Sequence, residues 1–301
     1  VSHPLVTKCF IFNEKDKSYS SFFKLVNTIK KESYDLYLSM FNTKAMALLG
    51  FLSGIKIRIG GNTIPEVRWC FTHRVNQYFQ NPSIHQVDYN LALLAPLNLE
   101  RKEVLFKLYP TPKIINALEE TYKTIFQSSR KTIVIMISTG GSNFFVPDKI
   151  LVNMIDVLIK QGYTLFLTGQ SDSNVLNSLS GDFLVNLIDK TSLAELTALI
   201  SLSDFYIGGD TGPTHIASFL NKPTLFFSAR KINMPSRWGP QTDYFNIFRQ
   251  EFRCNQKCQV LSEECINCLD YVTHEALLNA FKNLVDSVHH NSPCLEANRE
   301  K

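Results

Sequence analysis

Residues 203–230 read S-D-F-Y-I-G-G-D-T-G-P-T-H-I-A-S-F-L-N-K-P-T-L-F-F-S-A-R, and this stretch decides the fold. It contains a short apolar strand over 205–208, a tight polar turn, a helix opening near Pro213 and a second apolar strand over 224–227. The turn therefore sits at a strand's carboxyl end. Gly208 and Gly209 permit a sharp bend and close approach of a ligand, and Pro213 suits a first helical turn, where its missing N–H costs nothing. The helix's free N–H groups then face the turn and favour an anion. Around them stand Gly209, Asp210, Thr211, Gly212, Thr214 and His215, which supply a carboxylate, two hydroxyls and an imidazole. That set suits a sugar donor carrying an anionic group. The plainer reading makes Asp210 and Thr211 helix caps and His215 a hydrogen-bonded helix residue.

Upstream of this stretch the pattern is regular from Lys131. T-I-V-I-M-I (132–137) has the continuous apolar character of a strand buried on both faces, and S-T-G-G-S-N and a helix over 147–161 follow it. A strand over 163–168 ends in G-Q-S-D-S, and a third strand covers 184–187. Ser192 and Glu195 form a capping box that opens a helix running to Leu202. Strands and helices alternating at this spacing predict a parallel, doubly wound sheet. Ligands of such sheets bind outside the carboxyl ends of the strands, which selects the loops 138–143, 169–172 and 209–215. Amides and hydroxyls of Ser138, Thr139, Gly140 and Gly141 can wrap phosphate oxygens, and Asp172 can accept ribose hydroxyls. Their bland counterparts are a flexible loop and a surface aspartate.

The first hundred residues read less regularly. A strand over 9–12, a helix over 20–31, a strand over 34–39, a helix over 43–52 and a strand over 55–61 are expected. Trp69, His73, Arg74 and His85 follow without periodicity. Helices are expected over 87–95 and 114–126, with a linker across 110–130, giving domains 1–115 and 116–301. Lys56 and Arg58 read as a solvated strand face, whereas the basic and aromatic side chains of Trp69, His73, Arg74 and His85 suit a phosphorylated sugar acceptor.

Composition bounds the class. A chain of 301 residues with 45% hydrophobic content can build two cores of about 100 to 150 residues each. The net charge of +4 comes from Lys and Arg spread along the chain, which makes nucleic acid an unexpected partner. A mild basic excess with 12% aromatics suits contact with an anionic membrane face. No run approaches the roughly 20 apolar residues of a membrane span and no signal-peptide pattern opens the chain, so a cytoplasmic protein is expected. The seven cysteines do not suggest a secreted disulfide framework. Cys254, Cys258, Cys265 and Cys268 cluster, but their uneven spacing favours reduced structural thiols over zinc, and no metal is expected.

The segment G-G-D-T-G-P-T-H-I-A-S-F-L-N-K-P-T (208–224) resembles the signature of the glycosyltransferase family 9 heptosyltransferases. There an Asp-Ser/Thr-Gly-x-x-His-x-Ala turn precedes Lys-Pro and a strand. S-G-I-K-I-R-I-G (53–60) resembles the same family's acceptor-side block, which is the ground for assigning Lys56 and Arg58 to that side. The resemblance implies an α/β protein of GT-B architecture: two facing Rossmann-like domains with doubly wound parallel sheets, an N-terminal acceptor-side domain and a C-terminal donor-binding one. It further implies an inverting, metal-independent transferase without cofactor, using a nucleotide sugar such as ADP-heptose. The acceptor would be the lipopolysaccharide inner core, reached by peripheral contact at the cytoplasmic face of the inner membrane.

Two departures qualify the resemblance. The chain opens without Met and in mid-domain, so an N-terminal domain truncated by about 40 to 60 residues is expected, roughly one βαβ unit. The family's proposed catalytic base lies on a Gly-Asp turn in that region, so no catalytic residue is assigned within 1–301. Nucleotide binding should then survive better than turnover. Second, the family's diphosphate-contacting lysine has no counterpart in N-F-F-V-P (143–147), which leaves Lys149 or Arg230 to replace it. Both departures also fit a rival reading, a non-catalytic nucleotide-sugar-binding or scaffold protein with this fold.

Overall fold

The computed structural model describes residues 5–12, 18–41, 43–76, 84–99, 108–138, 146–228, 235–248 and 268–290. The chain divides into two compact units, residues 4–104 and residues 105–301 together with 1–3.

The first unit contains α1 (Tyr19–Glu32), β1 (Leu36–Ser39), α2 (Lys44–Leu52), β2 (Ile57–Gly61), a 3-10 turn (Arg68–Cys70), β3 (His73–Val75) and α3 (Gln86–Leu91), which runs into a second 3-10 helix (Ala92–Leu97). Ser18 and Thr43 cap α1 and α2 by accepting backbone N–H groups of Ser21 and Met46. The strands form a parallel sheet in the order β1-β2-β3. Ala47, Val67, Cys70 and Phe71 form its small core, with Tyr37 packed against them. Residues 9–12 are not a strand: they pair with none of the described strands, and Ile11 is 97% exposed. A strand exists only where a neighbour takes its backbone hydrogen bonds, and here the segment is held instead through its side chains. Lys8 pairs with Glu32, and the rings of Phe12 and Phe22 meet edge-on at 5.9 Å.

The second unit contains α4 (Pro112–Thr121), α5 (Lys123–Phe126), β4 (Thr132–Met136), α6 (Asp148–Lys160), β5 (Thr164–Thr168), α7 (Asn174–Asn177), β6 (Leu184–Asn186) and α8 (Leu193–Leu202). It continues through β7 (Phe205–Gly209), α9 (Gly212–Phe219), β8 (Thr224–Phe227), α10 (Pro235–Trp238), β9 (Phe245–Phe248), a 3-10 turn (Cys268–Tyr271) and α11 (His274–His289). All six strands are parallel, in the order β6-β5-β4-β7-β8-β9. Every residue of β4, β5, β7 and β8 is buried, which is why these strands read as unbroken apolar runs. Leu151, Met154 and Leu158 of α6 and Leu277, Phe281 and Leu284 of α11 cover one face. Leu196, Leu199 and Ile200 of α8 and Ala217 of α9 cover the other.

Helix α4, inside the span read as a linker, belongs wholly to this unit. Leu118 packs on the second face, and the Tyr122 and Phe126 rings lie 5.3 and 5.8 Å from that of Phe166. At the amino ends of the central strands β4 and β7, Asp204 accepts the Thr132 N–H and hydroxyl at 2.9 Å each and pairs with Lys131 at 2.8 Å. Burial pushes this carboxyl up, but Lys131 and the Thr132 donors together outweigh it and hold the group below its ordinary range. The expected capping box is present: Ser192 and Glu195 each accept the other's backbone N–H.

Candidate functional site

The chain winds from β4 through β5 to β6 in one direction, then returns to β7 beside β4 and winds through β8 to β9 in the other. The reversal lies between β4 and β7, and a crevice outside the carboxyl ends of two such strands is the place where an open α/β sheet binds its ligand. Ser138 follows β4, Gly169 follows β5 and Asp210 follows β7, so the loops singled out in the sequence share this edge. Ser138 Oγ accepts the Gln170 N–H at 2.9 Å. The bond depends on Gly169, whose φ of +113° is left-handed and whose missing Cβ would lie 2.6 Å from that Oγ. Thr139, Gly140 and Gly141 lie outside the described residues, as do 143–145 and Arg230.

Helix α9 opens behind this edge. Its N-cap Thr211 is extended (φ −146°, ψ 163°) and makes no side-chain capping bond, and Pro213 occupies the first turn. The Thr211 hydroxyl is thus not committed to the helix end. Asp210 and His215 approach one another, Nε2 to Oδ1, at 4.0 Å, with side chains 10% and 28% exposed. Thr214 does not face the turn as the sequence reading has it. It is fully buried, its hydroxyl donates to the Gly209 carbonyl, and Tyr206 Oη lies 3.2 Å from its oxygen. The buried stripe of α9 is Thr214, Ala217 and Ser218, an i, i+3, i+4 set whose polar members satisfy themselves inside the fold.

Two side chains missed in the sequence lie here, Trp238 beside His215 and Arg237 beside Trp238. The Trp238 ring lies 6.4 Å from the imidazole, and the Arg237 guanidinium carbon is 5.7 Å from the Trp238 ring centre. Arg237 is only 4% exposed. The Gln241 N–H donates to Ser218 Oγ, which anchors the segment after α10 to α9. The available signal was position: S-R-W-G-P follows the carboxyl end of β8, as the other site loops follow theirs.

Asp172 lines a cavity of about 550 Å³ with Ile137, Gln170, Asp148, Asp189 and Asp270. The Ser171 N–H donates to Asp189, and Ser173 to Asp148. Four carboxylates repel phosphate but accept hydroxyl groups, so this cavity and the α9 start offer opposite chemistry on one sheet edge.

In the first unit, Arg58 Nε donates to the Cys70 carbonyl at 2.6 Å, and its Nη1 to the carbonyls of Ile55 and Lys56. The guanidinium also lies over the Phe51 ring at 5.5 Å. Lys56 is exposed. Cys254, Cys258 and Cys265 lie outside the described residues, and so does the side chain of Cys268. Among the described residues no three His, Cys, Asp or Glu are grouped so as to hold a metal, and no helix is long and apolar enough to cross a membrane.

Residues 22–266 match the family profile described as glycosyltransferase family 9 (heptosyltransferase). Lipopolysaccharide heptosyltransferase 1 of Campylobacter coli is 25% identical over 250 residues, covering 74% of this chain and 69% of that protein. Lipopolysaccharide heptosyltransferase 3 of Escherichia coli is 24% identical over 236 residues, covering 71% and 66%. The structure of E. coli ADP-heptose lipopolysaccharide heptosyltransferase II superposes with a TM-score of 0.70 at 18% identity, covering 90% of this chain and 82% of that one. The fold, α/β with parallel sheets, is that of the GT-B heptosyltransferases. The turn at Asp210, the switch point beside it and the profile match over most of the chain converge: this protein belongs to glycosyltransferase family 9, the heptosyltransferases.

Proposed function

We propose that the protein transfers a heptose from a nucleotide diphosphate sugar, with ADP-heptose as donor, to the inner core of lipopolysaccharide. The observation that carries this reading is the start of α9, an uncapped helix end at the switch point bordered by Asp210, Thr211, Gly212 and His215. A leaving diphosphate there meets helix N–H groups, the Thr211 hydroxyl and the His215 ring, which stabilise its developing charge. Arg237, beside Trp238, is the cation we assign to the diphosphate, since no lysine stands at 143–147. The carboxylates of the neighbouring cavity, Asp172 among them, suit the hydroxyl-bearing part of the donor.

Transfer needs a base to take the acceptor's proton, and inversion without a metal belongs to this proposal. So does peripheral contact with an anionic membrane, which a lipid-linked acceptor requires and a net charge of +4 favours. Lys56 and Arg58 are proposed for the acceptor side, Lys56 as the exposed cation and Arg58 as the residue that shapes the strand carrying it. The missing loop lysine also favours a second reading, donor binding without transfer. An assay with ADP-heptose and a heptose-deficient core acceptor, followed by mass spectrometry, separates the two. A product heavier by one heptose supports transfer; ADP-heptose binding without product supports the second reading.

A further inference from the structure

Beneath the start of α9 lies a group of hydroxyls whose proton directions are fixed by chemistry. Thr214 Oγ1 has one proton, and its partner at Gly209 is a carbonyl, which only accepts. The Thr214 hydroxyl is therefore the donor in that bond. The Tyr206 hydroxyl, 3.2 Å away, must then be the donor to Thr214. Tyr206 and Thr214 are both fully buried, so water does not compete for either group. Thr211 Oγ1 also reaches Thr214 Oγ1, at 3.4 Å, where it can only donate, and it neighbours the Tyr206 hydroxyl as well. At that length the contact is weak, and Thr214 already receives a proton from Tyr206.

We propose that Tyr206 is a positioning residue for ligand binding at α9: by donating to Thr214 it leaves the Thr211 hydroxyl proton free to turn outward onto an anionic ligand. Tyr206 touches no ligand itself. Its ring also passes beneath Gly208, where a Cβ would lie 2.6 Å from the phenol oxygen, so strand β7 is shaped to hold that oxygen in place. Without the phenol hydroxyl, the buried Thr214 oxygen would lack its donor, and Thr211 is the group within reach to supply one. Thr211 would then turn inward and present lone pairs to an incoming phosphate. The inference rests on the donor-site reading above and names a residue behind that site.

The test is a double-mutant cycle on ADP affinity, measured by calorimetry on the full chain with unfolding midpoints recorded in parallel. Thr211→Val is expected to weaken ADP binding by about tenfold, the scale of one hydrogen bond to a charged group, and Thr211→Ser to retain it. Tyr206→Phe should weaken ADP binding several-fold, yet add nothing in the Thr211→Val background, because both changes remove the same outward proton. A purely structural role for Tyr206 predicts the same loss in both backgrounds. That additive result, an unaltered affinity in Tyr206→Phe, or full affinity in Thr211→Val overturns the inference while leaving the functional reading standing. Should Tyr206→Phe fail to fold, full affinity in Thr211→Val still overturns the inference. Absence of ADP binding by the unaltered chain overturns both the functional reading and this inference.

Discussion

Ser138 Oγ accepts the backbone N–H of Gln170 at 2.9 Å, so the chain leaving β4 is fastened to the chain leaving β5 at the edge where the ligand is expected. Gly169 makes this possible by its left-handed backbone and by leaving room beside the Ser138 hydroxyl and the Met136 sulfur, 2.6 and 2.9 Å from where a Cβ would stand. Gly169→Ala is therefore expected to destabilise the protein by about 1 to 3 kcal/mol, the cost of a strained non-glycine residue in that region. Urea unfolding checks this, and a midpoint equal to that of the unaltered protein would contradict it.

Asp204 makes stability depend on pH. Its folded-state carboxyl is held below the ordinary aspartate value, so its stabilisation is fully present above the unfolded value of about 4 and is lost as pH falls through the lower, folded value. Asp204→Asn should cost about 1 to 3 kcal/mol at pH 7, the range for a charge-assisted hydrogen bond, and should flatten the acid limb of the stability curve. Unfolding midpoints between pH 2 and 7 measure both effects. Parallel acid limbs in the two proteins would remove Asp204 from the account.

Arg58 gathers the carbonyls of Ile55, Lys56 and Cys70 with one planar group. A lysine has one nitrogen and no fork, so Arg58→Lys should recover little of the stability lost in Arg58→Ala, about 1 to 3 kcal/mol. The same loss should loosen the turn around Cys70, whose buried thiol is pushed up by desolvation. Its labelling by a thiol reagent should then accelerate, whereas exposed Cys9 should react equally fast in all three proteins. Unchanged Cys70 labelling in Arg58→Ala would show that the guanidinium does not hold this turn.

Arg237 is expected to support the negative charge of a bound diphosphate. Arg237→Ala should weaken ADP binding by about tenfold or more and adenosine binding little, since only ADP carries the diphosphate. Arg237→Lys, which keeps the charge, should fall between. Equal losses for ADP and adenosine would reduce Arg237 to a packing role.

Most of the second unit was legible because its signals are local. Glycines at 208 and 209, Pro213 and the Ser192–Glu195 box each act within a few residues, and the buried strands announce themselves as apolar runs. What escaped depends on distant partners. Strand β9 is a four-residue edge strand, half-buried throughout, and takes its character from pairing with β8. Strand β3 has three residues, too few for alternation to show. Thr214 looked like a ligand-facing hydroxyl because its partner Tyr206 reaches it only through the folded turn. Arg58 looked solvated because the carbonyl of Cys70 meets it only once the 3-10 turn has packed. For Thr214 and Arg58 polarity was read as exposure, and the fold had supplied an internal partner.

The central claim is that an ADP-linked sugar binds at the start of α9. Calorimetric titration of the unaltered chain and of His215→Ala with ADP-heptose, UDP-glucose and GDP-mannose tests it most directly. The account predicts saturable binding of ADP-heptose by the unaltered chain, weaker binding of the other two, and a loss of about tenfold in His215→Ala, the scale of one charge-assisted hydrogen bond. Equal affinity in the two proteins, or no saturable binding of ADP-heptose by the unaltered chain, would contradict it.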